Sequence, residues 1–241
     1  MQAVPPPFRL LSFESLDSTN DEIARRAAQG APPYLVVTAA TQTAGRGRRG
    51  RSWVSSPGNL FCSFLLEGRA RADEGPQLAF VAAVALQDAL SALLPAAAFR
   101  CKWPNDLLCQ GRKISGMLLE SARPHIILGV GVNVTEAPSP ALYPTTCLRA
   151  LGSGATAVEV LAGLCETLAH WHGLWLAQGF APIRQAWLDR ATGVGGPVTV
   201  RLADGAERQG RFAGLDEGGA LLLEEAAGVT PILAGDVFFP N

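Results

Sequence analysis

Thr41–Gln42–Thr43–Ala44–Gly45–Arg46–Gly47–Arg48–Arg49–Gly50–Arg51–Ser52–Trp53 is the segment with the most concentrated chemistry in this chain. Arg46, Arg48, Arg49 and Arg51 alternate with glycines, and no Asp or Glu occurs between Ile23 and Leu66. Glycines let backbone N–H groups turn toward a ligand. The arginine fork pairs with carboxylate and phosphate oxygens. The segment therefore reads as an anion-handling loop. In isolation the same residues also make a solvated basic loop or an RNA contact. The G-x-x-x-x-G-K-[ST] order of a P-loop is absent.

A second cluster is Lys102–Trp103–Pro104–Asn105–Asp106, followed by Lys113 in Gly111–Arg112–Lys113–Ile114–Ser115–Gly116. Two lysines and a carboxylate bracket a tight hairpin, and Pro104 biases Trp103 toward an extended shape. Taken alone, Pro-Asn-Asp is also ordinary turn material. Gly129–Val130–Gly131–Val132–Asn133 is a strand with two glycines, the sign of a ligand or a second backbone at close range, or of tight packing. Ser18–Thr19–Asn20 serves as a helix cap or as a polar binding triad.

The elements that must carry these residues follow from pattern. Ser18 opens a helix with Ile23, Ala24, Ala27 and Ala28 as its apolar stripe, and Gly30 ends it. Strands are expected at residues 34–38, 60–66, 99–101, 107–109, 114–120 and 126–132, with Gln110–Gly111–Arg112 as a hairpin turn. Helices are expected at 78–94, around 158–175 and at 182–189. Thr192–Gly193–Val194–Gly195–Gly196 reads as a linker. Beyond it, short strands at 198–202, 210–215, 220–223 and 229–232 between Gly-rich turns suggest a small β-barrel.

Composition narrows the class. Hydrophobic residues make up 48% and charged residues 17%, enough for a sizeable core. A net charge of −1 carries no global signal for nucleic acid or an anionic membrane. The five cysteines are odd in number and lack a C-x-x-C, so they read as reduced thiols in a cytoplasmic protein, with no metal site. The N-terminus has no signal-peptide pattern, and no run of about 18 apolar residues marks a membrane span.

The order and spacing of these segments resemble the catalytic domain of the biotin protein ligases. The likeness covers Ser18 to Val134 by motif, and G-R-G-R-R-G-R-x-W together with K-W-P-N-D-L carries it. It implies an α+β fold: a mixed-sheet catalytic domain of the biotin/lipoate ligase type over residues 1–192, and an SH3-like β-barrel over 193–241. It implies ATP-dependent activation of biotin to biotinyl-5′-AMP with Mg²⁺, then transfer to one lysine of a biotin carboxyl carrier protein or domain of acetyl-CoA carboxylase and related carboxylases.

Site residues carry over by position. The resemblance puts Ser18, Thr19, Asn20, Gln42, Arg46, Gly47, Arg48, Lys113 and Gly116 around biotin or its adenylate. It puts Arg46, Arg48, Arg51, Trp53, Lys102, Asn105 and Asn133 near the nucleotide. Arg48, Lys113 and Asp106 are the residues implied in the chemistry. Arg46 and Arg48 are expected to point inward and Arg49 outward, with Arg51 left open. Biotin's carboxylate and the α-phosphate repel by roughly 4 kcal/mol at 4 Å and an effective dielectric of 20. Cations at that point therefore matter more than a protein nucleophile. Homodimers are common in the family. Some members carry an N-terminal winged helix and act as repressors; this sequence starts its catalytic pattern by Ser18, so no DNA-binding activity of that kind is expected.

Two competitors remain. A lipoate or octanoate ligase or transferase shares the fold, but takes an acyl chain without a ureido head and lacks the Gly-Arg loop. An RNA-binding module would use the arginines alone, against a net charge of −1 and no interleaved aromatics.

Overall fold

The computed structural model describes residues 4–69, 72–139 and 143–239. A seven-stranded mixed sheet forms the larger part. Its strands are β1 (Arg9–Leu16), β2 (Leu35–Gln42), β3 (Leu60–Glu67), β4 (Phe99–Lys102), β5 (Asp106–Cys109), β6 (Arg112–Ala122) and β7 (His125–Val132). They lie in the order β1-β2-β3-β7-β6-β5-β4. Only β1 and β2 run parallel; the other neighbours are antiparallel.

The sheet is covered on both faces. Helix α1 (Thr19–Ala28) lies on one, with Ile23 packed against Leu35, Val37, Leu65 and Ile127. Helices α2 (Leu78–Leu93), α3 (Ala157–Gln178) and α4 (Phe180–Arg190) build the larger core on the other, where Val36 and Phe64 point. The alternation along β2, with Val36 on one side and Leu35 and Val37 on the other, is the period-2 rule of a strand buried on both faces.

Local chemistry explains the helix ends. Ser18 caps α1 through Asp21 N–H. Gly30, at φ 81°, closes it: its N–H donates to the Ala27 carbonyl, and Ala31 N–H donates to the Arg26 carbonyl. That pair of bonds is a Schellman motif, and the left-handed position favours glycine. Thr156 and Glu159 form a capping box at the start of α3. α2 and the turn before it, Gly75–Leu93, form the one helix among the described residues long and apolar enough by length and mean hydropathy to cross a membrane, though Gln77, Gln87, Asp88 and Ser91 keep it from being a continuous apolar run. Of that window 61% is buried within the protein, as in a core helix.

After α4 come β8 (Pro197–Arg201), β9 (Glu207–Leu215), β10 (Leu221–Glu225), β11 (Gly228–Ile232) and β12 (Asp236–Phe238). They form a five-stranded antiparallel sheet in the order β11-β10-β9-β8-β12. This fits a small SH3-like unit, but its end strands β11 and β12 are not hydrogen-bonded to each other, so the expected barrel is an open sheet among the described residues. One hydrophobic cluster runs through both units, from Phe64 and Leu86 to Val200, Phe212 and Leu223.

β1 and β12 were not anticipated from sequence. β1 is an edge strand with no clean burial alternation, and β12 is only three residues long.

Candidate active site

The start of α1 is a buried polar cluster. Ser18, Thr19 and Asn20 are all nearly inaccessible to solvent. Thr19 donates to Gln42 Oε1 from its backbone N–H at 2.8 Å and from its hydroxyl at 3.2 Å. Gln42 Nε2 donates to Ser55 Oγ at 3.3 Å. The Ser63 hydroxyl, on β3, lies 2.7 Å from Thr19 Oγ1 and 2.5 Å from Asn20 Oδ1. Asn20 Nδ2 donates to Glu120 Oε2 at 2.7 Å. Such a set holds its side chains in fixed orientations and offers both donors and acceptors to a neutral polar ligand.

Gly129 makes that arrangement fit. A Cβ there would sit 2.4 Å from Asn20 Oδ1. Gly131 does the same for Trp53, whose ring a Cβ would meet at 2.5 Å, and Gly116 lies against both Trp53 and the Lys113 ammonium. The strand glycines therefore mark close approach of protein side chains. The Lys113 ammonium stands 5.6 Å from the Trp53 ring centroid, within cation–π range. Trp53 Nε1 is buried without an acceptor among the described residues.

The arginine loop is a closed hairpin. Gly47 N–H donates to the Arg51 carbonyl, Trp53 N–H donates to the Gly45 carbonyl, and Arg46 bridges Ser52. Arg46 reaches Asp21 at 2.5 Å and Glu120 at 3.0 Å. Arg48 donates to Asn105 Oδ1 at 2.9 Å, and Asn105 Nδ2 in turn donates to the Met117 carbonyl. Arg49 and Arg51 both pair with Asp236. The acid-free surroundings read from the sequence are thus corrected. Three carboxylates arrive from α1, β6 and β12, segments distant in the chain, because cations at the edge of a low-dielectric cavity need counter-charge.

Lys102, Asp106 and Lys113 meet at the β4–β5–β6 hairpins. Lys113 Nζ lies 2.6 Å from Asp106 Oδ1. Lys102 stands over the rings of Tyr143 and Phe238, at 5.3 and 5.9 Å. Burial lowers the Lys102 pKa, opposed by the charge of Asp106. Burial likewise lowers that of Arg48, opposed by Asp236. Trp103 is buried and donates from Nε1 to the Gly219 carbonyl at 3.1 Å, across to the C-terminal sheet. Asn133 spends its amide on the Thr146 carbonyl.

Every site residue named from the sequence lines one cavity of about 310 Å³. Arg51 lines it and Arg49 does not. A larger groove of about 1150 Å³ shares Arg48, Asn105 and Met117 with it. Sequence reasoning missed Asp21, Ser63, Glu120, Tyr143 and Asp236. Asp21 carried a signal, standing beside Ser18–Asn20; the others lie in segments with no motif. Chemically, the cavity joins a neutral donor–acceptor set to clustered cations, the combination that suits a polar head group and two anions.

Comparison with known proteins gives the same direction. Residues 12–133 match the model of the biotin/lipoate A/B protein ligase family, and residues 194–239 match that of the biotin protein ligase C-terminal domain. A biotin–[acetyl-CoA-carboxylase] ligase of Paracoccus denitrificans is 42% identical over 235 residues, covering 92% of this chain and 97% of the relative. The bifunctional ligase/repressor BirA of Bacillus subtilis is 31% identical over 243 residues, covering 95% and 73%. The structure of biotin protein ligase from Aquifex aeolicus in complex with biotin and ATP superposes with a TM-score of 0.83 at 28% identity, covering 95% of this chain and 97% of that one.

Proposed function

The chain belongs to the biotin/lipoate A/B protein ligase family, and on that premise we propose that it is a biotin protein ligase. It makes biotinyl-5′-AMP from biotin and ATP and transfers the biotinyl group to a lysine of the carrier protein of acetyl-CoA carboxylase. One observation carries the reading at residue level. A single cavity brings the neutral set Ser18, Thr19, Asn20 and Gln42 together with Arg46, Arg48, Lys102 and Lys113.

The neutral set recognises the ureido head, which has one carbonyl acceptor and two N–H donors. Trp53 lines the cavity and gives the acyl chain an apolar wall. In the first step a biotin carboxylate oxygen attacks the α-phosphorus and pyrophosphate leaves. Lys113 and Arg48 hold the meeting anions and stabilise the charge that grows on the phosphate oxygens. Arg51 and Lys102 take further phosphate charge, and Tyr143 offers a ring beside them. Mg²⁺ bound with the nucleotide would add positive charge at the phosphates beside Arg48, Arg51 and Lys102.

In the second step the carrier lysine attacks the acyl carbon and AMP leaves. The amine must first lose a proton, at a cost of roughly 4–5 kcal/mol at pH 7. Asp106 orients the incoming ammonium and then accepts its proton. The larger groove, opening on the cavity at Arg48 and Asn105, is the way in for that lysine. Of the two roles in the name of the Bacillus subtilis relative, the site carries the ligase. Five free, buried cysteines fit the reducing cytoplasm.

The test is biotin-dependent ATP–pyrophosphate exchange, followed by transfer to a carboxyl-carrier domain. Exchange supported by lipoate and not by biotin would overturn the assignment.

A further inference from the structure

We propose that Asp236 is a positioning residue for the activation chemistry, holding the Arg48–Gly50 turn down over the cavity from the C-terminal sheet. The inference rests on the ligase reading above for its consequence, though not for its geometry.

The turn has reason to need a partner. Arg49 sits at φ 56°, in the left-handed region that non-glycine residues rarely adopt, and Gly50 follows at φ 71°. Local preference therefore does not select this conformation, and tertiary contacts have to hold it. Those contacts converge on one carboxylate: the ion pairs of Arg49 and Arg51 both end on Asp236 Oδ2, with Arg49 at 3.3 Å.

Asp236 is itself fixed. It opens β12 and pairs in register with Arg201 on β8. The residue before it is Gly235, where a Cβ would come within 2.8 Å of Val200 Cγ1. Bare backbone there lets the strand approach closely enough to aim the carboxylate at the loop. The Asp236 side chain is only 18% exposed, so its pairs are screened less than surface pairs. Its charge also favours the protonated forms of Arg48 and Lys102, which line the same cavity.

Asp236 thus keeps the cations gathered while the cavity is empty of phosphate. It also keeps the turn shut over the adenylate once it forms. Loss of the carboxylate frees the turn, and the adenylate escapes.

Limited trypsin digestion of the intact chain, without substrates, reads the turn directly, because trypsin cuts after Arg48, Arg49 and Arg51. The Asp236→Asn variant is expected to be cut there about tenfold faster than the parent, since cleavage tracks the open population. Asp236→Glu restores the charge and is expected within about twofold of the parent. Glu207→Gln breaks the Arg201–Glu207 pair of the same sheet without touching the loop, and stays within the same margin. Arg49→Gln, at an exposed position, gives a second route: cleavage after Arg48 and Arg51 rises as in Asp236→Asn. With biotin and ATP present, the Asp236→Asn enzyme releases more biotinyl-adenylate per pyrophosphate formed. Unchanged cleavage in Asp236→Asn and Arg49→Gln overturns the proposal. Equal acceleration in Glu207→Gln also overturns it, by making the effect one of general sheet stability. Because cleavage is read without ligand, it stands apart from any failure of the ligase reading.

Discussion

Lys113 and Asp106 face each other across the β5–β6 hairpin, ammonium to carboxylate at 2.6 Å. Each is the other's counter-charge, and each is proposed for a different step. Replacing Asp106 with Asn frees Lys113 to meet the biotin carboxylate but removes the acceptor for the carrier lysine's proton. Exchange of pyrophosphate into ATP should fall less than about tenfold, and transfer to the carrier by about a hundredfold. An equal loss in both steps would leave Asp106 as a prop for Lys113 alone.

Arg48 ties the arginine hairpin to the Lys102–Asp106 turn through Asn105. Arg48→Gly cuts that tie and adds backbone freedom. The variant is expected to form adenylate and lose it to solvent, so that lysines of bystander proteins become biotinylated. Adenylate formation with no bystander labelling, measured by streptavidin blot on a mixed protein sample, would contradict the closing role.

Gly129→Ala places a methyl group 2.4 Å from Asn20 Oδ1. Asn20 cannot yield easily, being buried and bonded to Ser63 and Glu120. The KM for biotin should rise about tenfold or more. The KM for ATP should move much less, because the clash lies in the neutral set. Equal shifts for both substrates would mean that the sheet, rather than the Asn20 pocket, has been disturbed.

His172 is buried between Tyr34 and Trp175, and its Nε2 donates to the Glu67 carbonyl at 3.0 Å. Burial lowers its pKa below the ordinary 6.5. The unfolded chain therefore takes up the proton first. This contribution to stability is fully present above about pH 6.5, falls as the pH drops below that value, and levels off under the folded pKa. Thermal melting from pH 8 to 5 should show a steeper decline in the parent than in His172→Gln. Parallel curves would assign the decline to other groups.

Much of the site was legible because its residues are neighbours in the chain. The arginine hairpin, the Lys102–Asp106 turn and the start of α1 each compress several functional side chains into a few positions. What pairs with them was not legible. Arg51 finds its carboxylate 185 residues away, and Arg46 finds Glu120 at 74. Those partners sit singly on strands whose own pattern reports only burial. The fold followed the same division. Strands buried on both faces and capped helices were read from pattern, whereas edge strand β1 and the three-residue β12 had too little periodicity to register. The two strand glycines were read as room for a ligand or another backbone, or as tight packing; the structure shows packing, with Asn20 against Gly129 and Trp53 against Gly131.

The bond from the Trp103 indole to the Gly219 carbonyl bears on how far this enzyme can be recombined with its relatives. Gly219 sits at φ 94°, and a Cβ there would strike the Phe80 ring at 2.7 Å. A C-terminal sheet grafted from another ligase would have to bring a bare, left-handed residue and an outward carbonyl to that one spot. Without them the graft leaves an indole unpaired beneath the lysines of the active site. Compatibility between the two halves thus turns on that one peptide as well as on the shared apolar cluster and the pairs to Asp236.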